Sequence, residues 1–280
     1  MGQVLMRFPN GRQRALTLSY DDGVEQDVKL IEIMKAHGLK GTFNLNSGAY
    51  PPEGTVFAKG QIHRRLTREK MKGLYLENGM EVAVHGLTHP FLQELPPILC
   101  VQEVLKDREN LEEQFGCIVR GMAYPFGTYD DEVVEILKEC GIAYARTVQS
   151  TRNFDLPRDW LRLPATCHHN DPELMALARR FTEPFHWTMA QLFYLWGHSY
   201  EFEERDNWKV IEEFAEFIGG REEIWYATNL EVYDYVQAWN RLIFSADGRQ
   251  IFNPTAFELF YDNCGKTESV EPGKVKVLEF

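Results

Sequence analysis

Short apolar segments alternate with longer segments of mixed polarity along the chain up to about residue 242. The short segments are rich in β-branched and aromatic residues, which is typical of buried strands. They predict strands at 15–20, 41–46, 80–85, 119–124, 142–148, 191–197 and 224–228. The segments between and after them predict helices at 25–37, 67–77, 96–115, 130–140, 172–181, 207–218 and 230–242.

The alternation of strands and helices decides the fold class. It predicts parallel βα units, and seven of them favour an α/β fold with a closed or nearly closed (β/α) barrel over an open doubly wound sheet. No glycine-rich phosphate-binding fingerprint follows any of the strands, which argues against a nucleotide-dependent enzyme. Plausible helix N-caps are Asp130, Asp206 and Asn229.

The pattern changes in the last part of the chain. Residues 242–252 predict a hairpin around Asp247 and Gly248, and 257–263 and 274–280 predict further strands. We therefore divide the chain into a barrel domain, 1–242, and a small C-terminal β-appendage, 243–280.

Composition narrows the range of partners. The chain has 280 residues, 44% of them hydrophobic, and a formal net charge of −12, so we expect a full core and no binding to nucleic acid or anionic membranes. No segment has transmembrane length, and the N-terminus has no apolar stretch typical of a signal peptide. The five cysteines are scattered, which favours free thiols and a cytoplasmic location.

Candidate catalytic groups recur where the predicted strands end. Asp21 and Asp22 end the first strand, His85 ends the third with His89 four residues later, and His198 follows the sixth. In a (β/α) barrel, catalytic residues lie at the carboxyl ends of the strands, so these side chains would converge.

The residue types in this set predict a metal site, with open alternatives. Two histidines and one carboxylate leave positions for water and substrate, which is the pattern of a catalytic metal site. One carboxylate of the Asp21–Asp22 pair could bind metal and the other act as a base, provided that the chain bends at Gly23. The alternatives are two unrelated loop histidines and a solvated Asp-Gly turn.

Further candidates are less specific. His198 could be a general acid or a histidine satisfied in the core. His168 lies in the segment TCHHND, for which a surface loop is at least as good an interpretation as a place in the site. Tyr124 and Phe126 could contact a sugar ring, although most large aromatic residues are buried in a core.

The motifs SYDDG, HGLTH, AYPFG and WGHSY, in this order, resemble those of the polysaccharide deacetylases of carbohydrate esterase family four, over about residues 12–235. The resemblance implies a distorted seven-stranded (β/α) barrel. It also implies that Asp21 is the catalytic base, and that His198 is the catalytic acid. Asp22, His85 and His89 would hold one divalent metal ion, most often zinc.

One departure from the family concerns an arginine. Many members have arginine two residues before the proline of the fourth-strand motif, where it orients the base, but this chain has Ala123 there. Arg146 is our candidate for its replacement.

The resemblance implies hydrolysis of an N-acetyl group on an amino sugar or polysaccharide. The metal would polarise the acetyl carbonyl, Asp21 would take a proton from water, and His198 would protonate the departing amine; the backbone N–H of Phe126 could help to stabilise the oxyanion. The nearest alternative is a hydrolase of another C–N bond in a small cytosolic amide. A non-catalytic sugar-binding barrel is the other alternative, but it would need neither base nor acid.

Overall fold

The computed structural model describes residues 4–184 and 189–279. Its strands are β1 (Val4–Arg7), β2 (Arg14–Asp21), β3 (Gly41–Leu45), β4 (Glu81–Val84), β5 (Gly121–Ala123), β6 (Tyr144–Ser150), β7 (Leu163–Ala165), β8 (Cys167–His168), β9 (Gln191–Gly197), β10 (Ile224–Tyr226), β11 (Ile243–Phe244), β12 (Gln250–Phe252), β13 (Leu259–Asn263), β14 (Lys266–Val270) and β15 (Val275–Val277). Its helices are α1 (Asp27–Ala36), α2 (Arg68–Met71), α3 (Pro97–Phe115), α4 (Asp131–Glu139), α5 (Leu174–Thr182), α6 (Tyr200–Glu204), α7 (Lys209–Ile218) and α8 (Asn229–Asn240).

Strands β2 to β10 form one sheet in which every pairing is parallel. Its order is β7-β6-β5-β4-β3-β2-β9-β8, with β10 also beside β2. Residues 163–168 pair with β6 on one side and with β9 on the other, which brings the two ends of the sheet together. The α/β fold with a barrel-like parallel sheet is therefore confirmed.

Strand β2 is central to this sheet. All eight of its residues are buried, because it has neighbours on both sides and other residues cover both faces. Its carboxyl end lies beside those of β3 and β9, since all three run in parallel. This arrangement brings the residues that follow these strands to one mouth of the barrel.

Three predictions about helices are wrong. Of the segment 67–77, only Arg68–Met71 forms α-helix, and Gly73 adopts a positive φ of 75° that interrupts the helical path. Asp206 does not cap a helix: it has a φ of 49°, and α7 begins at Lys209. The N-cap at Asp130 is confirmed, whereas Asn229 lies inside α8, which Thr228 caps.

The region after α8 contains two small antiparallel sheets. One has the order β11-β12-β15, and the other has the order β1-β13-β14, so the N-terminal strand Val4–Arg7 completes it. The division at 242/243 stays a prediction, and its ends at residues 1–3 and Phe280 lie outside the described residues. None of the described helices is long and apolar enough to cross a membrane.

Candidate active site

The Asp-Asp-Gly sequence bends sharply after β2. Asp21 is the last residue of the strand, whereas Asp22 and Gly23 have φ values of 81° and 63°. Aspartate tolerates this left-handed conformation better than most residues, and glycine adopts it freely. The bend that we expected at Gly23 thus already begins at Asp22.

Asp22, His85 and His89 form a cluster that fits a metal ion. Each offers one ligand atom, and these atoms all lie within 4.8 Å of one another. The Nδ1 atom of His85 lies 2.8 Å from the carbonyl oxygen of Ala123, which can only accept, so Nδ1 carries the proton and Nε2 has a free lone pair. A histidine held in this way by a backbone carbonyl is typical of metal sites.

The charges of the cluster also suit a cation. Burial lowers the pKa of His85, and burial together with neighbouring His85 lowers the pKa of His89 to about 4, so both imidazoles are neutral at pH 7. Burial opposes ionisation of Asp22, but a hydrogen bond with His63 and the nearby Arg65 guanidinium hold its pKa well below the usual range. Two neutral imidazoles and one carboxylate result, which is a suitable donor set for zinc.

Asp21 is buried beside this cluster and belongs to a different set of contacts. One carboxylate oxygen accepts a hydrogen bond from Asn44 Nδ2 at 2.8 Å, and the other accepts one from Arg146 Nη2. Burial alone would raise the pKa of Asp21, but the charge of Arg146, aided by His85 and His198, keeps it below its usual value. Asp21 is therefore ionised.

The position of Arg146 accounts for the alanine in the fourth-strand motif. The register of β5 and β6 pairs Ala123 with Arg146, so the arginine projects from the neighbouring strand at the same level. Its guanidinium carbon lies 4.4 Å from the ring centroid of Trp196, and only 1% of the residue is exposed. The structure thus brings Arg146 to the carboxylate that it was predicted to contact.

His198 lies on the other side of Asp21. Its Nε2 atom is 3.7 Å from Asp21 Oδ2, and its Nδ1 atom is 2.9 Å from Glu201 Oε1. Burial alone would lower the pKa of His198, but the hydrogen bond with Glu201 and the charge of Asp21 raise it above the ordinary value. The ring is therefore held between two carboxylates and can carry a proton near neutral pH.

Glu201 is the centre of a second cluster, which includes His168. His168 Nε2 is 3.6 Å from Glu201 Oε2, His169 Nε2 is 3.3 Å from the same oxygen, and Asn170 Nδ2 donates to it at 2.6 Å. His168, His198 and Glu201 are spaced closely enough for a metal ion. However, the backbone N–H of Asn170 donates to His168 Nδ1 at 3.1 Å, so the proton of the neutral ring is on Nε2. The arrangement of these groups suits holding the Glu201 carboxylate in place better than binding a metal ion.

The segment TCHHND is not a surface loop. Cys167–His168 forms β8, and its register pairs His168 with Trp196, two residues before His198. His169 is 0% exposed, and its ring lies between Tyr20 and Phe202, at centroid distances of 5.7 and 4.1 Å. Pairing with β9 therefore draws both histidines towards the mouth of the barrel.

Phe91 and Phe126 are exposed aromatic residues that border the metal cluster. Phe126, with a φ of 58°, stacks on Phe91 at a centroid distance of 4.0 Å. It also packs against His89 at a centroid distance of 4.4 Å, with the two ring planes 72° apart. Phe91 is 40% exposed and Phe126 is 51% exposed. Tyr124, in contrast, is buried, and its hydroxyl donates to the carbonyl of Leu161. Of the two interpretations of Tyr124, contact with a sugar ring and burial in the core, this position suits the second.

Among the described residues that contact the predicted set, sequence reasoning missed Glu201, His63 and Arg65. Glu201 is three residues after His198 at the start of a helix, and that spacing is a signal that could have revealed it. His63 Nε2 lies 3.2 Å from Asp22 Oδ2, and Arg65 Nη2 donates to Asp22 Oδ1 at 2.8 Å. Both come from the long connection between β3 and β4, where no local pattern marks them.

Residues 9–145 match the sequence model of the family "Polysaccharide deacetylase". A Mycobacterium smegmatis protein assigned to the polysaccharide deacetylases has a similar structure, with 15% identity, a TM-score of 0.59, and coverage of 86% of this chain and 96% of that chain. A family 4 carbohydrate esterase from Streptomyces lividans, in complex with acetate, has 15% identity and a TM-score of 0.50 over 76% of this chain and 91% of its own.

A third structure, deacetylase PplD from Streptococcus pyogenes in complex with acetate, matches with 22% identity and a TM-score of 0.42. The match covers 47% of this chain and 55% of PplD, so this chain spans about half of that protein. No curated protein matches the chain. The structural likeness shows the fold. The segment that matches the family model includes Asp21, Asp22, His85 and His89.

Proposed function

We propose that this chain, whose residues 9–145 match the polysaccharide deacetylase family, is a metal-dependent hydrolase that removes N-acetyl groups from an amino sugar or polysaccharide. One observation carries the proposal. Ionised Asp21 lies between Arg146 and His198, directly beside the cluster of Asp22, His85 and His89. A base and an acid thus lie next to a site with the donors for a divalent ion.

Asp22, His85 and His89 are the residues that would hold the ion, for which zinc is our candidate. When bound, such an ion supplies Lewis-acid polarisation of the acyl oxygen and makes water easier to deprotonate. The backbone N–H of Phe126 is our candidate for an additional donor to the oxyanion. The ring of Phe126 also packs against that of His89, at a centroid distance of 4.4 Å.

Asp21 and His198 divide the proton transfers. Asp21 accepts one proton from the attacking water while the oxygen of that water bonds to the acetyl carbon. The C–N bond then breaks as His198 donates its Nε2 proton to the nitrogen, which leaves as an amine. The proton on Asp21 returns to His198 over the 3.7 Å that separate them. The acyl product keeps the second proton of the water, leaves as acetic acid and ionises to acetate in solvent.

Arg146 and Glu201 keep these two groups in place. Arg146 fixes the Asp21 carboxylate, and its charge keeps this group ionised in a buried position. Glu201 accepts a hydrogen bond from His198 Nδ1, so the opposite ring atom, Nε2, points towards Asp21. Each reacting side chain thus has a charged partner that orients it.

The exposed rings of Phe91 and Phe126 favour a sugar as the acyl carrier. Aromatic faces bind the apolar face of a pyranose ring, and this pair lies beside His89 rather than in the core. Both rings are exposed enough to be covered by a ligand. A small linear amide would leave most of this surface uncovered.

The test is acetate release from N-acetylglucosamine and its β-linked oligomers by purified protein, first stripped with a chelator and then supplied with zinc. We expect activity only after zinc is added, and about one zinc ion per chain. The His85→Ala/His89→Ala double variant is the matched control, and it should hold no zinc and release no acetate.

Two results would contradict the proposal. Full zinc occupancy in the double variant would show that the ion binds elsewhere. Hydrolysis of small acyl amides together with inert acetylated sugars would instead support a hydrolase of another C–N bond.

A further inference from the structure

Arg65 connects the two loops that carry the proposed metal ligands. Its Nη1 atom donates to the carbonyl oxygen of Asp22 and to Oδ1 of Asn46, both at 2.7 Å, and Nη2 donates to Asp22 Oδ1 at 2.8 Å. A single guanidinium thus holds the main chain and the side chain of Asp22 together. Its fork geometry suits such simultaneous contacts, which a lysine ammonium cannot make in one plane.

Asn46 continues the connection to the other loop. Its Nδ2 atom donates to the carbonyl oxygens of His85 and Gly86, while its Oδ1 accepts from Arg65. Asn46 is 0% exposed, and both amide N–H groups and the amide oxygen have partners. Replacing this side chain would therefore break contacts on both sides.

The backbone holds Arg65 in this position independently of its side chain. Val24 and Arg65 form an isolated antiparallel β-bridge, and Leu66 N donates to Gly23 O at 2.8 Å. Arg65 is therefore attached to the chain directly after the Asp-Asp-Gly bend. Its guanidinium is oriented before any ion binds.

Asp22 is a ligand that needs such support. Its φ of 81° is unfavourable for a residue with a Cβ, and its side chain is 9% exposed. Charge-assisted hydrogen bonds, such as those from Arg65, are the strong contacts that can offset the cost of this conformation. Without Arg65, the carboxylate and the bend would each lose a partner.

We propose that Arg65 and Asn46 are positioning residues that hold Asp22 in register with His85, so that the three ligands are arranged before the ion arrives. This inference rests on the proposed function, because it assumes that Asp22, His85 and His89 bind a divalent ion. Removing the hydrogen-bonding partner of a ligand commonly weakens metal binding by about 10–100-fold.

The experiment measures zinc affinity rather than activity. Zinc is titrated into metal-free protein in competition with a chromophoric chelator, for the wild type, Arg65→Met, Arg65→Lys and Asn46→Ala. We expect zinc binding to weaken about 10–100-fold in Arg65→Met and Asn46→Ala, and less in Arg65→Lys, which keeps the charge but loses the fork. Arg65→Met is the primary variant, since Asn46→Ala alters a fully buried side chain.

Arg64→Met is the matched control. Arg64 lies in the same segment and forms ion pairs with Glu25 and Glu203, but none with Asp22. The Arg64→Met variant should loosen the segment and lower the melting temperature of the metal-free protein. Its zinc affinity should stay within about threefold of the wild type, because Arg64 does not contact the proposed ligands.

The effects of the two positions should also be coupled. The free-energy changes of zinc binding in Arg65→Met and Asn46→Ala should not add in the double variant, because both substitutions interrupt one chain of hydrogen bonds. Full additivity would show that Arg65 and Asn46 act separately, and it would overturn the proposal that together they hold Asp22 in register with His85.

The remaining outcomes separate this inference from the proposed function. If the wild type binds no zinc, the metal site itself is wrong. If the wild type binds zinc and Arg65→Met binds it equally or more tightly, Arg65 is only a counter-charge for Asp22. In that case this inference alone is overturned.

Discussion

At the scale of single residues, two neighbouring carboxylates have different surroundings. Asp21 ends a regular strand and contacts Arg146 and Asn44, whereas Asp22 lies in the bend and contacts Arg65 and His63. The bend gives each carboxylate its own set of partners. A division of labour between base and ligand follows from this separation.

Asp21→Asn and Asp22→Asn should therefore fail in different ways. Asp22→Asn should lose most of the bound zinc, because the site loses its anionic ligand. Asp21→Asn should keep the zinc content of the wild type and lose roughly 10²–10⁴-fold in turnover, because it cannot accept a proton. Metal analysis and acetate release on the same samples check both statements, and an equal fall in zinc content would refute the division.

At the scale of elements, the turn between β9 and α6 brings acid and anchor together. Gly197 ends β9, and a Cβ there would lie 2.0 Å from Nδ1 of buried His169, so this position has no room for a side chain. His198 follows, and Glu201 is in the first turn of α6. The close approach of β8 to β9 thus fixes the geometry around Glu201.

Glu201→Gln should shift the pH dependence of turnover. The carboxylate raises the pKa of His198, so its removal lowers that pKa. A general acid must be protonated, and activity falls as pH rises through its pKa. The basic limb of the kcat/KM profile should therefore move to lower pH in the variant.

The control for this shift is Glu203→Gln. Glu203 lies two residues further along α6 and contacts Arg64 and Gln26 instead of His198. The Glu203→Gln variant loses the same charge, but the substituted residue does not contact His198. An unmoved basic limb in Glu201→Gln, or an equal movement in both variants, would contradict the role of Glu201.

At the scale of the whole molecule, buried carboxylates connect distant parts of the chain. Asp27 at the start of α1 accepts hydrogen bonds from the hydroxyls of Ser199 and Tyr75 and from the backbone N–H of Val24. It is 0% exposed, and burial raises its pKa to about 7 despite these bonds. The folded protein therefore keeps a proton that the unfolded chain releases at about pH 4.

This proton makes the stability of the whole protein depend on pH. The folded state binds more protons than the unfolded state between about pH 4 and pH 7, so the free energy of unfolding should fall as pH rises through that range. Because of Asp27, the free energy of unfolding should fall by on the order of 2 kcal/mol from pH 5 to pH 7. Above about pH 8, Asp27 should cause no further change.

Urea unfolding of metal-free wild type and Asp27→Asn at several pH values checks this contribution. Asp107, whose pKa burial also raises to about 7, titrates in both proteins, so only the difference between them reports on Asp27. The free energy of unfolding of Asp27→Asn, relative to that of the wild type, should increase from pH 5 to pH 7. Parallel curves would contradict the assignment.

The sequence by itself determined the strands and the groups at their ends. Apolar segments bounded by polar turns predicted every strand from β2 to β6, and also β9 and β10, because burial selects residues locally. The same local order placed Asp21, Asp22, His85, His89 and His198 after strands. Parallel strands then bring such residues to one edge, whatever the details of packing.

Only the tertiary structure decided which partners these groups have. Arg65 and Asn46 are far apart in sequence from Asp22 and His85, and no periodicity links them, because a contact between distant segments leaves no local pattern. Segment 163–168 became β7 and β8 because its unpaired backbone groups find partners on β6 and β9. The candidate ligands could thus be named from the sequence, but the contacts that would orient them depend on how the barrel closes.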